Sequence, residues 1–193
     1  YQQNQLFRQH ALGSFSDLMM AATIDAAMII YLDNNSNVKG NPNENFAREV
    51  MQLFTLGEGQ GYTEEDIKEA ARAFTGWRVD NISKAFVFEK KLHDHGSKTV
   101  LGKTGKFNGD DIVKILLGHP RTAEFITEKM WKFFISDTVD PAAVKQMAAT
   151  FRSSDYNVKV RVKSLLMSEH FRGTANRGNM IKSPADLVVG SCR

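Results

Sequence analysis

The chain has 193 residues, 42% of them hydrophobic and 24% charged, which is enough to bury a core without disulfide or metal staples. Its 25 basic and 22 acidic residues are interleaved, so the net charge of +3 forms no basic stripe and argues against nucleic acid as a partner. No run reaches the roughly 18 apolar residues that a membrane span needs, and the single Cys192 can close no internal disulfide.

That cysteine usage fits a reducing cytosol or an exported protein that folds without bridges. The first residue is Tyr1 rather than Met, so the chain reads as a processed product or a fragment. Its length predicts one helical domain over residues 1–193. The first helical pattern runs from about Asn4 to Tyr31, with a break near Gly13-Ser14. "DNNSNVKGNPN" then reads as a polar loop. A helix is expected over Glu44 to Leu56, stopped by Gly57. Thr63 with Asp66 three residues on predicts a capped helix to about Phe74, with Ile67, Ala70, Ala71 and Phe74 inward.

The pattern changes over 76–107. "AFVFEKKLHDHGSKTVLGKTGKF" mixes β-type residues with glycines and predicts a hairpin or an irregular insert. Helical periodicity returns at Asn108, capped with the help of Asp111, and runs to about Leu117. Pro120 and Pro141 each open a further helix, the second to about Phe151. "NVKVRVKSLLMSEHF" alternates like a strand, but Val158, Val162, Leu165 and Leu166 also make a helical stripe, and a helix is expected there. The predicted fold class is mainly α, a multi-helix orthogonal bundle with a small β-hairpin or irregular insert.

Two segments concentrate polar chemistry. In "NPNENFAREVMQLFTLG", Phe46, Ala47, Val50, Met51, Leu53 and Phe54 fall on one arc of a helical wheel. Glu44, Asn45, Arg48, Glu49, Gln52 and Thr55 fall on the other. That is the pattern of a surface helix with a solvated face, supported by (i, i+4) pairs such as Glu44–Arg48. The functional alternative is a helix lining a cleft with a glutamate as base or metal ligand. Glu44 and Glu49 diverge by about 140°, so a carboxylate pair would need a second segment. "HDHGSK" could supply it. His93 and His95 would point the same way in an extended strand and could grip a metal ion, with Asp94 as ligand or orienting partner. The alternative is a polar turn shaped by Asp94 and Gly96. No nucleophile elbow, Walker loop, dinucleotide fingerprint or Cys/His zinc spacing occurs. Trp77 and Trp131 are expected to pack, His119 to cap a helix, and Lys182 to sit just before a helix opened by Pro184.

"YLDN", "NENFARE", "LFTLG", "GYTEEDI", "EAARAFTGW", "HDHGSKTVLG", "HPRTAEFITEKMWKFF" and "IKSP", in this order, resemble the bacterial domain-of-unknown-function family 1800. The resemblance covers nearly the whole chain and implies the C-terminal part of a longer exported protein, periplasmic or extracellular. Members are often encoded beside members of another uncharacterised family resembling sulfatases, which implies a protein partner in an exported two-component system. It supplies no established activity, substrate or cofactor. Positions matching its pattern are Asn43, Glu44, Asn45, Arg48 and Glu49, then Thr75, Gly76 and Trp77, then His93, Asp94 and Lys98, and finally Lys182 and Pro184. His95 lies outside that pattern, and Glu169-His170 replaces a more usual proline and glutamate. Two functions follow: a helical binding or scaffold module, or a hydrolase or lyase, possibly metal-assisted. The second would use Glu44, Arg48, Glu49, His93 and Asp94 as candidate catalytic residues.

Overall fold

A computed structural model describes residues 1–178 and 181–192. Eleven α-helices and two small antiparallel sheets make up its regular structure among these residues. The chain is mainly α, as the periodicity predicts.

The first predicted helix is three: α1 (Gln2–His10), α2 (Phe15–Thr23) and α3 (Ala26–Tyr31). Ser14 caps α2 through its hydroxyl, and Asp25 caps α3. Each cap offers the backbone a local partner that ends the preceding helix and starts the next, so a continuous apolar pattern is cut twice. α4 (Asn45–Gln52) buries Phe46, Ala47, Val50 and Met51. It stops four residues short of the expected Leu56. The Thr55 hydroxyl donates to the Val50 carbonyl at 2.8 Å, and the Leu56 amide reaches back to Met51 at 2.8 Å. The tightened turn rotates Thr55 into the core and leaves Leu53 50% exposed, the reverse of the wheel assignment for those two residues.

α5 (Glu64–Ala73) opens on the predicted capping box of Thr63 and Asp66. The insert is two hairpins rather than one: β1 (Trp77–Val79) with β2 (Phe86–Phe88), and β3 (Lys98–Val100) with β4 (Lys103–Gly105). α6 (Gly109–Gly118) follows, with its box of Asn108 and Asp111, and then α7 (Pro120–Phe134), capped by His119. α8 (Pro141–Ser153) and α9 (Val158–Leu166) complete the main body. Asn157 caps α9 at the Val160 amide, which commits the alternating "VKVRVK" to helix. α10 (Glu169–Arg172) and α11 (Pro184–Ser191) come last.

The main core joins α2, α4, α5, α6 and β1 with the starts of α7 and α9. A second apolar cluster, centred on Trp131, Ile135, Val144 and Leu165, lies between α7, α8 and α9. Trp77 and Trp131 are both buried, as expected. Trp77 stands edge-on to Phe74 and Phe86, with centroids 5.2 Å away in each case. A Cβ on Gly109 would come within 2.3 Å of the Trp77 ring, so the first turn of α6 can approach only because residue 109 is glycine.

Candidate functional site

α5 organises the polar chemistry. Asp66, Glu69 and Arg72 recur every third residue and share one face of the helix. All three reach the second hairpin or the segment that leads into it. Asp66 accepts from the Leu101 amide at 2.7 Å, and Glu69 from the Thr99 amide at 3.0 Å. Arg72 donates through Nε to Asp94 Oδ2 at 2.8 Å and through Nη1 to Glu69 at 2.7 Å. Asp94 Oδ1 takes the Gly96 amide at 2.8 Å. Arg72 and that amide hold the Asp94 carboxyl down at about 2, well below the usual carboxylate range.

Thr75 ties this face to His93. Its hydroxyl donates to the Arg72 carbonyl at 2.6 Å and accepts from the Asp94 amide at 2.8 Å, while its carbonyl lies 2.9 Å from His93 Nδ1. A carbonyl can only accept, so Nδ1 carries the proton. His93 is 4% exposed, and burial pushes its pKa down despite that bond. Next to Thr75, Gly76 has φ +81°, and a Cβ there would meet the Glu89 carbonyl oxygen at 2.6 Å. Lys98 is buried, its ammonium donating to the carbonyls of Asp94 and Gly96. Burial lowers its pKa too.

The two histidine rings do lie together, with centroids 4.8 Å apart and planes nearly perpendicular. His95 Nε2 sits 3.1 Å from the Lys90 carbonyl, so it also donates to backbone. Among the described residues, no three His, Cys, Asp or Glu side chains converge as a metal site.

Glu44 and Arg48 form a separate group. Arg48 pairs with Glu44 at 2.9 Å and grips Glu64 with two parallel bonds of 3.0 and 2.7 Å. Glu64 opens α5, whereas Arg72 and Asp94 lie at its other end, about 12 Å away by helical rise over eight residues. The two halves of the candidate site therefore attach to opposite ends of one helix. Glu49 is half-buried on α4 and joins neither network. Asn43, Glu44, Asn45 and Arg48 instead line a shallow polar depression with Ser36, Asn41 and Pro42.

Residue-by-residue reading of the sequence missed the loop before α4. Asn34 and Asn37 are wholly buried. Asn34 donates to the Trp77 carbonyl at 2.9 Å and the Phe74 carbonyl at 3.3 Å, and Asn37 donates to Ala71 at 2.9 Å. Asn37 Oδ1 then receives the Asn43 amide at 3.0 Å. These side chains supply donors to carbonyls at the end of α5, where a helix terminus leaves carbonyls short of partners, and to that of Trp77 in β1. The available signal was the repetition of asparagine, five residues in a stretch of eleven that reads as solvated loop.

An apolar concave surface lies elsewhere. α1, α2, α4 and α7 enclose an apolar cavity of about 300 Å³, lined by residues that include Phe7, Met19, Val50, Leu53 and Ile126. Lys129, whose Nζ stands 4.8 Å above the Phe125 ring, is the one charged residue in the lining.

A family model described as a protein of unknown function, DUF1800, matches residues 1–193. The chain belongs to DUF1800. No curated protein and no solved structure matches it. Most of the residues that carry the DUF1800 resemblance have visible structural duties here. Asn45 donates to the Leu32 carbonyl at 3.1 Å, beyond α3, and Asn43 donates to Ser36 and Asp33. Thr75, Gly76, Asp94 and Lys98 together fasten the second hairpin to α5. Pro184 opens α11, and Lys182 beside it is exposed.

Proposed function

We propose that this chain is a helical binding or scaffold module that recognises its partner through the apolar groove. The observation carrying the reading is the saturation of the polar groups in the two networks fastened to α5. Arg48, Arg72, Asp94, Lys98 and His93 Nδ1 are all engaged by the chain's own carbonyls, amides and carboxylates. A general base or nucleophile needs a free lone pair beside space for a substrate. Neither the groove nor the polar depression is lined by His93, Asp94 or Lys98. The groove, by contrast, leaves apolar surface open to solvent, the usual mark of an interaction site. Membership of an exported bacterial assembly, in the periplasm or outside the cell, follows from the family resemblance and completes the proposal. Among the described residues no helix is long and apolar enough to cross a membrane.

A second reading, a hydrolase or lyase centred on His93 and Asp94 alone, draws on one observation. Burial lowers both His93 and Lys98, and such shifts cluster at functional sites. One pair of variants separates the two readings. A labelled amphipathic peptide, with a leucine face and an acidic polar face, is titrated against the protein and followed by anisotropy. Binding is expected to weaken at least tenfold in Leu53→Glu and to persist in His93→Gln. Turnover on a panel of ester, glycoside and lyase substrates that disappears in a still-folded His93→Gln would overturn the binding reading.

A further inference from the structure

α11 is an apolar helix without a bed. Leu187, Val188 and Val189 are 57%, 62% and 57% exposed, and none of its residues is buried. At 100° per residue, Leu187, Pro184, Val188, Ala185 and Val189 sweep about 200° of its circumference, interrupted only by Ser191 in the last turn. Asp186 sits just beyond Val189, at the edge of that arc. A helix apolar over most of its surface is a buried helix. Eight residues are also too few to hold a helix in water unaided, since isolated helices shorter than about 12–15 residues are marginal.

The same chain exposes a surface of matching character. The groove between α1, α2, α4 and α7 is lined by apolar residues together with Thr23 and the single charge of Lys129. No residue of α11 lines the groove of its own chain. We propose that α11 of one copy docks in the groove of a second copy, with Asp186 meeting Lys129. This inference rests on reading the groove as the binding surface and names its occupant. A reciprocal exchange generates a two-fold pair in which each contact is made twice. Doubling helps an eight-residue helix approach the roughly 1,000 Å² of total buried surface that a specific interface requires.

Sedimentation velocity on the whole chain over a wide concentration range tests the exchange. A concentration-dependent dimer is expected. Val188→Asp alone and Leu53→Glu alone should each weaken it at least tenfold, with melting profiles showing both variants folded. An equimolar mixture of the two variants should recover a weaker heterodimer, because one intact helix then meets one intact groove. Lys129→Glu should weaken the wild-type dimer most at low salt. A monomer at every concentration, or a dimer indifferent to Val188→Asp, overturns the exchange. If the chain is monomeric yet still binds the amphipathic peptide through Leu53, the exchange falls and the binding module stands. If it binds neither, both fall.

Discussion

Arg161 is 1% exposed, on the face of α9 between Val158 of the main core and Leu165 of the second cluster. Its Nη1 donates to the Met147 carbonyl at 3.0 Å, whereas Nε and Nη2 have no partner among the described residues, and the same is true of the buried Thr127 hydroxyl on α7. Burial accordingly lowers the Arg161 pKa with nothing opposing it. An uncompensated buried charge costs stability, and an apolar replacement of similar length relieves it. Arg161→Met is therefore expected to be neutral or to stabilise by up to about 2 kcal/mol, raising Tm by about 2–4 °C per kcal/mol in a chain of this size. A loss of more than 2 kcal/mol in a thermal melt would mean that the guanidinium is satisfied in solution. His93 and Asp94 give the pH dependence. Burial holds the folded His93 below the free imidazole value of about 6.5, so the unfolded chain takes up its proton first. That contribution is complete above pH 6.5 and is lost as the pH falls below it. Asp94, held at about 2, contributes above about pH 4 and loses its share as the pH falls through 2. Melts at pH 7.5, 5 and 3 should show two successive losses, and His93→Gln should flatten only the first. Residue types and their helical spacing were visible in the sequence, whereas the partner of each charge was not. Nothing local announces that Arg72 reaches Asp94 across 22 positions, or that Arg48 turns to Glu64.

Among the elements, α5 was the most legible, because its start depends on neighbours three residues apart. The Thr63–Asp66 box and the inward stripe of Ile67, Ala70 and Ala71 appear as expected. α9 shows how a cap decides an ambiguous pattern. Alternation favours a strand, but Asn157 supplies the first amide with an acceptor, and Val158, Arg161 and Leu165 then bury one helical face. The insert was legible only as a change of period. Its division into two hairpins depends on Gly76 and on the Asp66–Glu69–Arg72 face of α5, which offers polar partners to 94–101 in place of a third strand. Gly76→Ala tests that arrangement. The substitution strains a positive φ and drives a Cβ into the Glu89 carbonyl, both backbone constraints that no rotamer can relieve. A loss of about 3 kcal/mol or more is expected by denaturant titration, and a loss below 1 kcal/mol would show that the 76–93 junction rearranges freely.

At the scale of the whole molecule, the polar signature and the open apolar surface lie in different places. The signature holds α4, the asparagine loop and both hairpins around α5, while the groove is walled by α1, α2, α4 and α7. If the groove and α11 bury one another between copies, stability becomes linked to concentration. The melting temperature of the wild-type chain should then rise between low and high micromolar protein, and that of Val188→Asp should not. Equal slopes for the two proteins would place the exposed α11 outside any such coupling.

By itself the sequence determined the helical class, most helix starts and the family, because apolar period and capping chemistry act over three or four residues and need nothing distant. It also marked which polar positions matter. Only the tertiary structure decided what they do. Whether a glutamate or histidine is a free base or a bound strut depends on which carbonyl, amide or guanidinium the fold brings within 3 Å of it. Here those partners come from segments 16 to 35 residues away, and they hold the Glu44 and His93 groups in two separate fastenings on one helix.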